Sequence, residues 1–314
     1  MNINPPDTTA LKTNLAMKRL FAPHSPQVPA RAVIFMSGGG TNAEALLEFC
    51  RAEARALKPV ALATDAPETC RARELGRTFG LPVIESDLRR FYRERGEASI
   101  RLDSPRRRAL RQEWSDALYE LLRPLEPELG ILAGFVPLIN LTDRIPCLNV
   151  HPGDLTLEDA SGRRMLAGLH ILPVEKAMLA GHEALRSSVI LAQPYTGDGT
   201  GEMDSGPVLG VSAPMPLELE GATIEELRRV HAERVPGRIP DDRLRRLAKL
   251  NVERLKHAGD HVVLPRAAED FAAGRFFVRG ERIGFLPDGA SEPVSALTVE
   301  YHADDSRKPL ERTR

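Results

Sequence analysis

Short apolar runs that each break at a turn and lead into a helix-period segment restrict the fold of this chain more than any other feature. "RAVIFM" stops at "SGGGTN" and gives way to "AEALLEFCRAEARAL"; "PVALAT" is followed by "ETCRARELGRTFG", and that by "LPVIES". Strands separated by helices of this length cannot form hairpins, so they must lie parallel in one sheet with helical crossovers. "SPRRRALRQEWSDALYELLRPL" reads as a long helix with Leu110, Trp114, Leu118, Leu121 and Leu122 on its apolar side and arginines on a solvated face. "ELGILAGF" and "PCLNV" supply a fourth and a fifth strand. Helical "PVEKAMLAG", strand "SSVILAQ", the glycine-rich loop "YTGDGTGEMDSG" and strand "PVLGVSAPM" come next. Two charged helical regions, around 222–234 and 240–272, precede a hairpin "RFFVRGERIGFL", and no internal repeat is present. The expected architecture is α/β, a mostly parallel central sheet flanked by helices.

The 314 residues suffice for one large core or two modest ones, and 42% apolar with 28% charged residues is the balance of a globular protein. The 43 lysines and arginines nearly cancel the 44 aspartates and glutamates, so no net field recruits nucleic acid or a membrane surface. Any anion site must be local. Cys50, Cys70 and Cys147 are odd in number and lack C-x-x-C spacing, which fits reduced thiols in a cytoplasm; Cys147 reads as a small core residue. No apolar run approaches the roughly 20 residues that cross a bilayer. The N-terminus has no hydrophobic region followed by a small-residue cleavage site, so a cytoplasmic protein is expected. Residues 1–30 read as an N-terminal extension in which "ALKTNLAMKRLF" forms a short amphipathic helix, with a transit peptide as the alternative. Residues 286–314 read as a C-terminal tail whose end, "YHADDSRKPLERTR", is polar enough to fray.

"SGGGTNAE" ends the first strand and opens the first helix. Thr41 and Glu44 are spaced as a capping box, which would point first-turn N–H groups outward at the positive end of the helix dipole. Gly38, Gly39 and Gly40 let an anion approach that backbone, so the segment reads as a phosphate site or as a tight turn capped by Thr41. The same letters satisfy G-x-G-x-x-A through Gly38, Gly40 and Ala43, with Asp65 at the next strand end where a dinucleotide ribose would be held. A nicotinamide-binding domain is therefore a rival. A P-loop is excluded, because no G-x-x-x-x-G-K-[ST] element exists.

In an open parallel sheet, ligands bind beyond the carboxyl ends of the strands, and "CLNVHPGDL" crosses such an end. Asn149 and His151 are two apart in an extended segment and point the same way. An amide can donate to a developing oxyanion, and an imidazole exchanges a proton near neutral pH. The carboxylate that would orient the imidazole is Asp204 in "GEMDSGPVLG", at the mouth of another strand, rather than Asp154, which lies on the turn.

Five segments in order, "SGGGTN", "LAGFVPLI", "LNVHPGDL", "GLHILPVEKAMLAG" and "MDSGPVL", resemble the folate-dependent formyltransferases, most closely those of purine synthesis that act on glycinamide ribonucleotide. The strongest element is N-x-H-P at 149–152 followed by D-x-G-P at 204–207. The resemblance implies a Rossmann-like formyltransferase domain over 31–285, with a phosphate-binding half at 31–145 and a catalytic and folate half at 146–285. It implies Asn149, His151 and Asp204 as the catalytic residues and Gly40, Thr41 and Asn42 as the phosphate site. Leu132, Gly134, Val136 and His170 would line the substrate cleft, Arg111 would meet a folate carboxylate, and Asp260 would hold the acceptor amine. The co-substrate implied is 10-formyltetrahydrofolate; no metal, nucleic acid or membrane partner is expected. His24, His182, His231 and His302 have no such support and read as surface residues.

The chain departs from the family at "HPGDLT", at the following loop "LEDASGRRML", in a longer loop between Ser188 and Asp204, and at Ile190, where the family has a histidine. Other acceptors consistent with the same residues are the amine of an amino sugar nucleotide, or water, which would make a formyltetrahydrofolate hydrolase. A nicotinamide-dependent oxidoreductase would leave the Asn149, His151 and Asp204 trio unexplained, and the altered loops also admit a noncatalytic ligand-binding homologue.

Overall fold

The computed structural model describes residues 17–311 apart from 198, 200–203, 236 and 281. The strands of the main sheet are β1 (Ala30–Phe35), β2 (Leu57–Thr64), β3 (Val83–Glu85), β4 (Leu129–Leu132), β5 (Cys147–His151), β6 (Ser188–Leu191), β7 (Val208–Ser212), β8 (Thr298–Tyr301) and β9 (Arg307–Leu310). The helices are α1 (Thr41–Ala52), α2 (Ala72–Phe79), α3 (Leu88–Glu94), α4 (Pro105–Leu122), α5 (Leu172–Ala180), α6 (Ile224–Ala232), α7 (Arg243–Leu255) and α8 (His261–Ala272). The 9-stranded sheet runs in the order β9-β8-β7-β6-β5-β4-β1-β2-β3. From β3 to β5 every pairing is parallel. β6 is antiparallel to both β5 and β7, and β8 returns parallel to β7. This is the expected α/β class.

Both faces of the sheet are covered, which is why β1 reads as a continuous apolar run. Successive side chains alternate between faces. Ile34 joins Leu46 of α1 and Leu264 and Phe271 of α8 on one side. Val33 and Phe35 join Tyr92, Trp114 and Leu118 of α3 and α4 on the other, where Cys147 is also fully buried. The buried stripe of α4 is Leu110, Trp114, Leu118 and Leu122. Leu121, expected on that stripe, is 51% exposed, because neighbours on a helix stand about 100° apart and Leu122 already occupies the core position. A third cluster, from α5, α6 and α7, packs Val174, Met178, Leu227 and Leu247 together beside the loop that follows β5.

The two ends of the chain differ from expectation. Most of 10–21, expected as a helix, lies outside the described residues. Lys18–Arg19 is a strand that pairs with Val278 and Phe277 of the hairpin Phe276–Arg279 and Arg282–Phe285. The segment expected to fray extends the main sheet instead. Val299 and Tyr301 are fully buried, and "HADDS" is only the turn between β8 and β9. The polar residues that suggested fraying serve a buried carboxylate: the Tyr301 hydroxyl donates to Asp270 at 2.9 Å and the Arg307 guanidinium at 2.7 Å. Among the described residues no helix is long and apolar enough to cross a membrane.

Candidate active site

β5 delivers Asn149 and His151 to the carboxyl edge of the sheet. Asn149 lines a cavity of about 730 Å³, within the range of small-molecule sites. His151 does not line it. Its ring is 3% exposed, with Nε2 2.8 Å from the Leu166 carbonyl oxygen and Nδ1 3.5 Å from Oδ2 of Asp204. Both nitrogens face oxygen atoms, which fixes the orientation of the ring. Asp204 stands between, touching His151 on one side and the cavity on the other. The trio therefore converges as expected, with the imidazole behind the carboxylate rather than at the cavity surface.

Asp204 adopts φ 59°, a left-handed conformation that strains a residue with a Cβ. Three contacts hold it there. Arg164 donates to the carbonyl oxygens of Asp204 and Gly206, and the Gly168 N–H donates to Asp204 Oδ2 at 3.1 Å. Burial pulls the Arg164 guanidinium below its ordinary pKa, and the Asp204 charge opposes that shift. Glycine is required at 206, because a Cβ there would overlap the Leu191 carbonyl oxygen.

The unusual turn after His151 has a local cause. A Cβ at Gly153 would meet the Leu166 carbonyl oxygen at 2.9 Å and His151 Nε2 at 3.0 Å, so a serine would crowd the contact that fixes the ring. Ser188 secures the same turn, donating to the Gly153 carbonyl at 2.7 Å and accepting the Leu155 N–H at 3.0 Å. Asp154 faces away, accepting from the backbone and hydroxyl of Thr156. Lys176 holds the Ala167 carbonyl at 2.5 Å, so backbone from 166 to 168 seals the imidazole and carboxylate.

Leu132, Val136 and His170 line the cavity as expected, and Ile190 closes its floor at 2% exposure. Gly134 does not line it; with φ 80° it makes the turn after β4 and accepts the Ser37 N–H at 3.2 Å. Ser37 accepts the Val136 N–H at 2.9 Å and donates to Asp65 at 2.5 Å, in the cavity wall. Burial pushes the Asp65 carboxyl up, and the Ser37 hydrogen bond opposes it. Arg111 also lines the cavity but is not on a solvated face. It is 3% exposed, with Nη1 donating to the Leu138 carbonyl at 3.0 Å and Nη2 to that of Ile100 at 2.7 Å.

The glycine turn departs from expectation in its capping. Gly40, at φ 69°, is the N-cap of α1 and no side chain caps it. Glu44 turns instead to Arg71 at 3.1 Å, and Arg71 also donates to the Gly39 carbonyl at 3.0 Å. The loop carbonyls are thereby drawn toward α2, and a Cβ at Gly38 or Gly39 would meet nothing within 4 Å, leaving this face of the loop open. Thr41 is exposed at the start of α1. Asn42 donates to Asp260 at 2.9 Å, and Ser187 donates to the other carboxylate oxygen at 2.5 Å. Asp260, at the end of the π-helical turn Lys256–Asp260, thus joins the glycine-loop helix to the strand edge rather than standing free for an amine. Burial raises its pKa, opposed by the Ser187 and Asn42 hydrogen bonds and the His151 field.

Arg164, Ser37, Ser187 and the Leu166 carbonyl carry no signal in sequence. They emerge only when loops far apart in the chain meet.

The fold is the one found in formyl-group enzymes of known structure. The chain superposes on glycinamide ribonucleotide transformylase 1 from Symbiobacterium toebii with a TM-score of 0.52, at 23% identity, over 82% of this chain and 95% of that one. Phosphoribosylglycinamide formyltransferase from Coxiella burnetii matches at TM-score 0.52 and 19% identity, over 85% and 96%. A formyltetrahydrofolate deformylase from Pseudomonas syringae pv. tomato matches at TM-score 0.52 and 12% identity, over 82% and 66%. No protein-family model and no curated protein sequence matches the chain. What these superpositions establish is the shared fold.

Proposed function

We propose that this chain is a folate-dependent formyltransferase, carrying a formyl group from 10-formyltetrahydrofolate to the amine of glycinamide ribonucleotide in purine biosynthesis. One observation carries the reading: on a fold shared with transformylases, Asn149 and Asp204 line one cavity while His151 sits 3.5 Å behind Asp204. The cavity suits a flat heteroaromatic head. Leu132, Ile139, Ile190 and Ala192 supply apolar walls, and Asn149, Gln193 and Asp204 supply polar edges.

In the reaction the acceptor amine attacks the formyl carbon, a C–N bond forms and the carbonyl oxygen gains negative charge. Asn149 donates to that oxygen without adding a charge of its own. Asp204 accepts the amine proton directly or through water, with His151 orienting the carboxylate and sharing the proton. The intermediate collapses as N10 of the folate leaves with a proton. The acceptor phosphate lies against Gly40, Thr41 and Asn42, where first-turn N–H groups of α1 meet an open loop face.

Purified protein is mixed with 10-formyltetrahydrofolate, with and without glycinamide ribonucleotide, and tetrahydrofolate release is followed by absorbance. Release that depends on the ribonucleotide, and is lost in His151→Asn with the fold retained, is the expected result. Release at equal rate without it would replace this reading by hydrolysis, the activity named for the Pseudomonas neighbour.

A further inference from the structure

The segment "HPGDLT" puts a carboxylate, Asp154, on the turn behind His151, and that carboxylate has a partner outside the cavity. Arg186, two residues ahead of β6, stands with Nε 3.7 Å from Asp154 Oδ2. Its Nη1 donates to the Ser212 carbonyl at the end of β7, at 2.8 Å, and to Oε2 of Glu300 on β8. His302 Nε2 lies 2.9 Å from the other Glu300 oxygen. The side chains of Asp154 and Glu300 are only 15% and 9% exposed, so solvent and salt screen their attraction to Arg186 poorly. Burial alone would raise the Glu300 carboxyl, but Arg186 and His302 hold it below its ordinary value.

Strand register explains how the end of the chain reaches this turn. His151 pairs with Ser188, Ser188 with Val211 and Val211 with Glu300, so His151 and Glu300 occupy one row across four strands. Three strand spacings put them roughly 14 Å apart, too far for contact. Arg186 and Asp154 bridge that interval. Asp154 uses Oδ1 for the Thr156 N–H and hydroxyl, which leaves Oδ2 for Arg186. On either side of Asp154, Ser188 holds the Gly153 carbonyl and the Leu155 N–H. Gly153 in turn lies so close to the imidazole that a Cβ there would stand 3.0 Å from His151 Nε2. A shift of Asp154 therefore passes through Gly153 to the ring.

We propose that Arg186 is a positioning residue: anchored on Glu300, it holds Asp154, and with it the turn that fixes the His151 ring behind Asp204. Its effect on turnover rests on the formyl-transfer reading above.

The test combines turnover with a spectrum that needs no substrate. In the ribonucleotide-dependent assay, run below the onset of thermal unfolding, Arg186→Ala should lower kcat roughly three- to tenfold with KM for the ribonucleotide within about twofold. A residue serving stability alone would lower the melting temperature and leave the kcat of the folded protein unchanged. Arg186→Lys should recover part of the loss. Asp154→Asn should also lower kcat, and adding it to Arg186→Ala should cost little more, since both changes remove one interaction. Should Arg186→Ala fail to fold, Glu300→Gln, which keeps the shape of the anchor without its charge, carries the same comparison. In histidine-labelled protein, the ring signals of His151, assigned by their loss in His151→Asn, should shift in Arg186→Ala, Asp154→Asn and Glu300→Gln. Unmoved ring signals, an unchanged kcat, or losses that multiply in the double variant would each overturn the brace. If the unmodified protein shows no turnover, the formyl-transfer reading falls and the ring signals alone decide the brace.

Discussion

Replacing Arg164 by alanine removes the two hydrogen bonds that a half-buried guanidinium makes to the carbonyls of Asp204 and Gly206. A hydrogen bond involving a charged group contributes about 1.5–3 kcal/mol, and water can replace part of it in a loop, so about 2 kcal/mol is the scale for the pair. Against this stands the left-handed turn at Asp204, φ 59°, which costs a residue with a Cβ about 1–2 kcal/mol. The two are of similar size. Without the clamp the turn relaxes, and the Asp204 carboxylate leaves the Nδ1 of His151 from which it now stands 3.5 Å. A change of about 2 kcal/mol reduces the competent population roughly 30-fold. The expected result in the ribonucleotide-dependent assay is a kcat lower by roughly ten- to hundredfold, with KM for the ribonucleotide within about twofold, since the proposed phosphate site at α1 is untouched. Arg164→Lys should recover part of the loss by reaching one of the two carbonyls. A kcat for Arg164→Ala within about twofold of the unmodified protein would refute the clamp.

Further consequences follow from the buried carboxylates and the sheet edge. Burial raises the pKa of Asp260 in the folded chain, so the stability it contributes is fully present below the unfolded aspartate value, about 4, and is lost as pH rises through the folded value. Asp260→Asn removes that loss, and Oδ1 of Asn42, which has no partner among the described residues, can accept from the new amide; its melting temperature should gain on the unmodified protein as pH rises from about 4, and parallel curves would contradict the assignment. Tyr301→Phe strips one of the donors from buried Asp270 and should cost about 1–2 kcal/mol in urea unfolding. Deleting residues 298–314 should abolish soluble folding by exposing the faces that Val299 and Tyr301 close; a stable truncated protein would mean that β8 is dispensable. Gly206→Ala should lower both stability and kcat, because the new methyl group displaces the Leu191 carbonyl and with it the Asp204 turn.

The parallel half of the sheet was legible because its strands are buried on both faces and separated by helices of crossover length, so periodicity alone gave β1 through β5. The end of the chain was not, because "TVEY" is too short to show alternation and its neighbours are charged; their charges answer Asp270, a residue on a distant helix. At the candidate site, the side chains proposed to do chemistry were visible as types: an amide, an imidazole and a carboxylate at strand ends. The residues that place them were not. Thr41 and Glu44 have capping-box spacing, yet Arg71 from the next crossover outcompetes the helix terminus for Glu44. Arg111 looked like one arginine among many on α4, and only the 95–104 segment folding over it makes it a buried cation. Asp260 matched a motif position, but its burial beside Ser187 and Asn42 depends on elements far apart in sequence.

The most direct measurement supplies 10-formyltetrahydrofolate labelled with 13C in the formyl group, together with glycinamide ribonucleotide, and follows the label by NMR. The account predicts that the carbon appears as an N-formyl group on the ribonucleotide, and that Asp204→Asn and His151→Asn both stop its arrival. Label recovered only as free formate, or transfer unimpaired in the Asp204 variant, would contradict it.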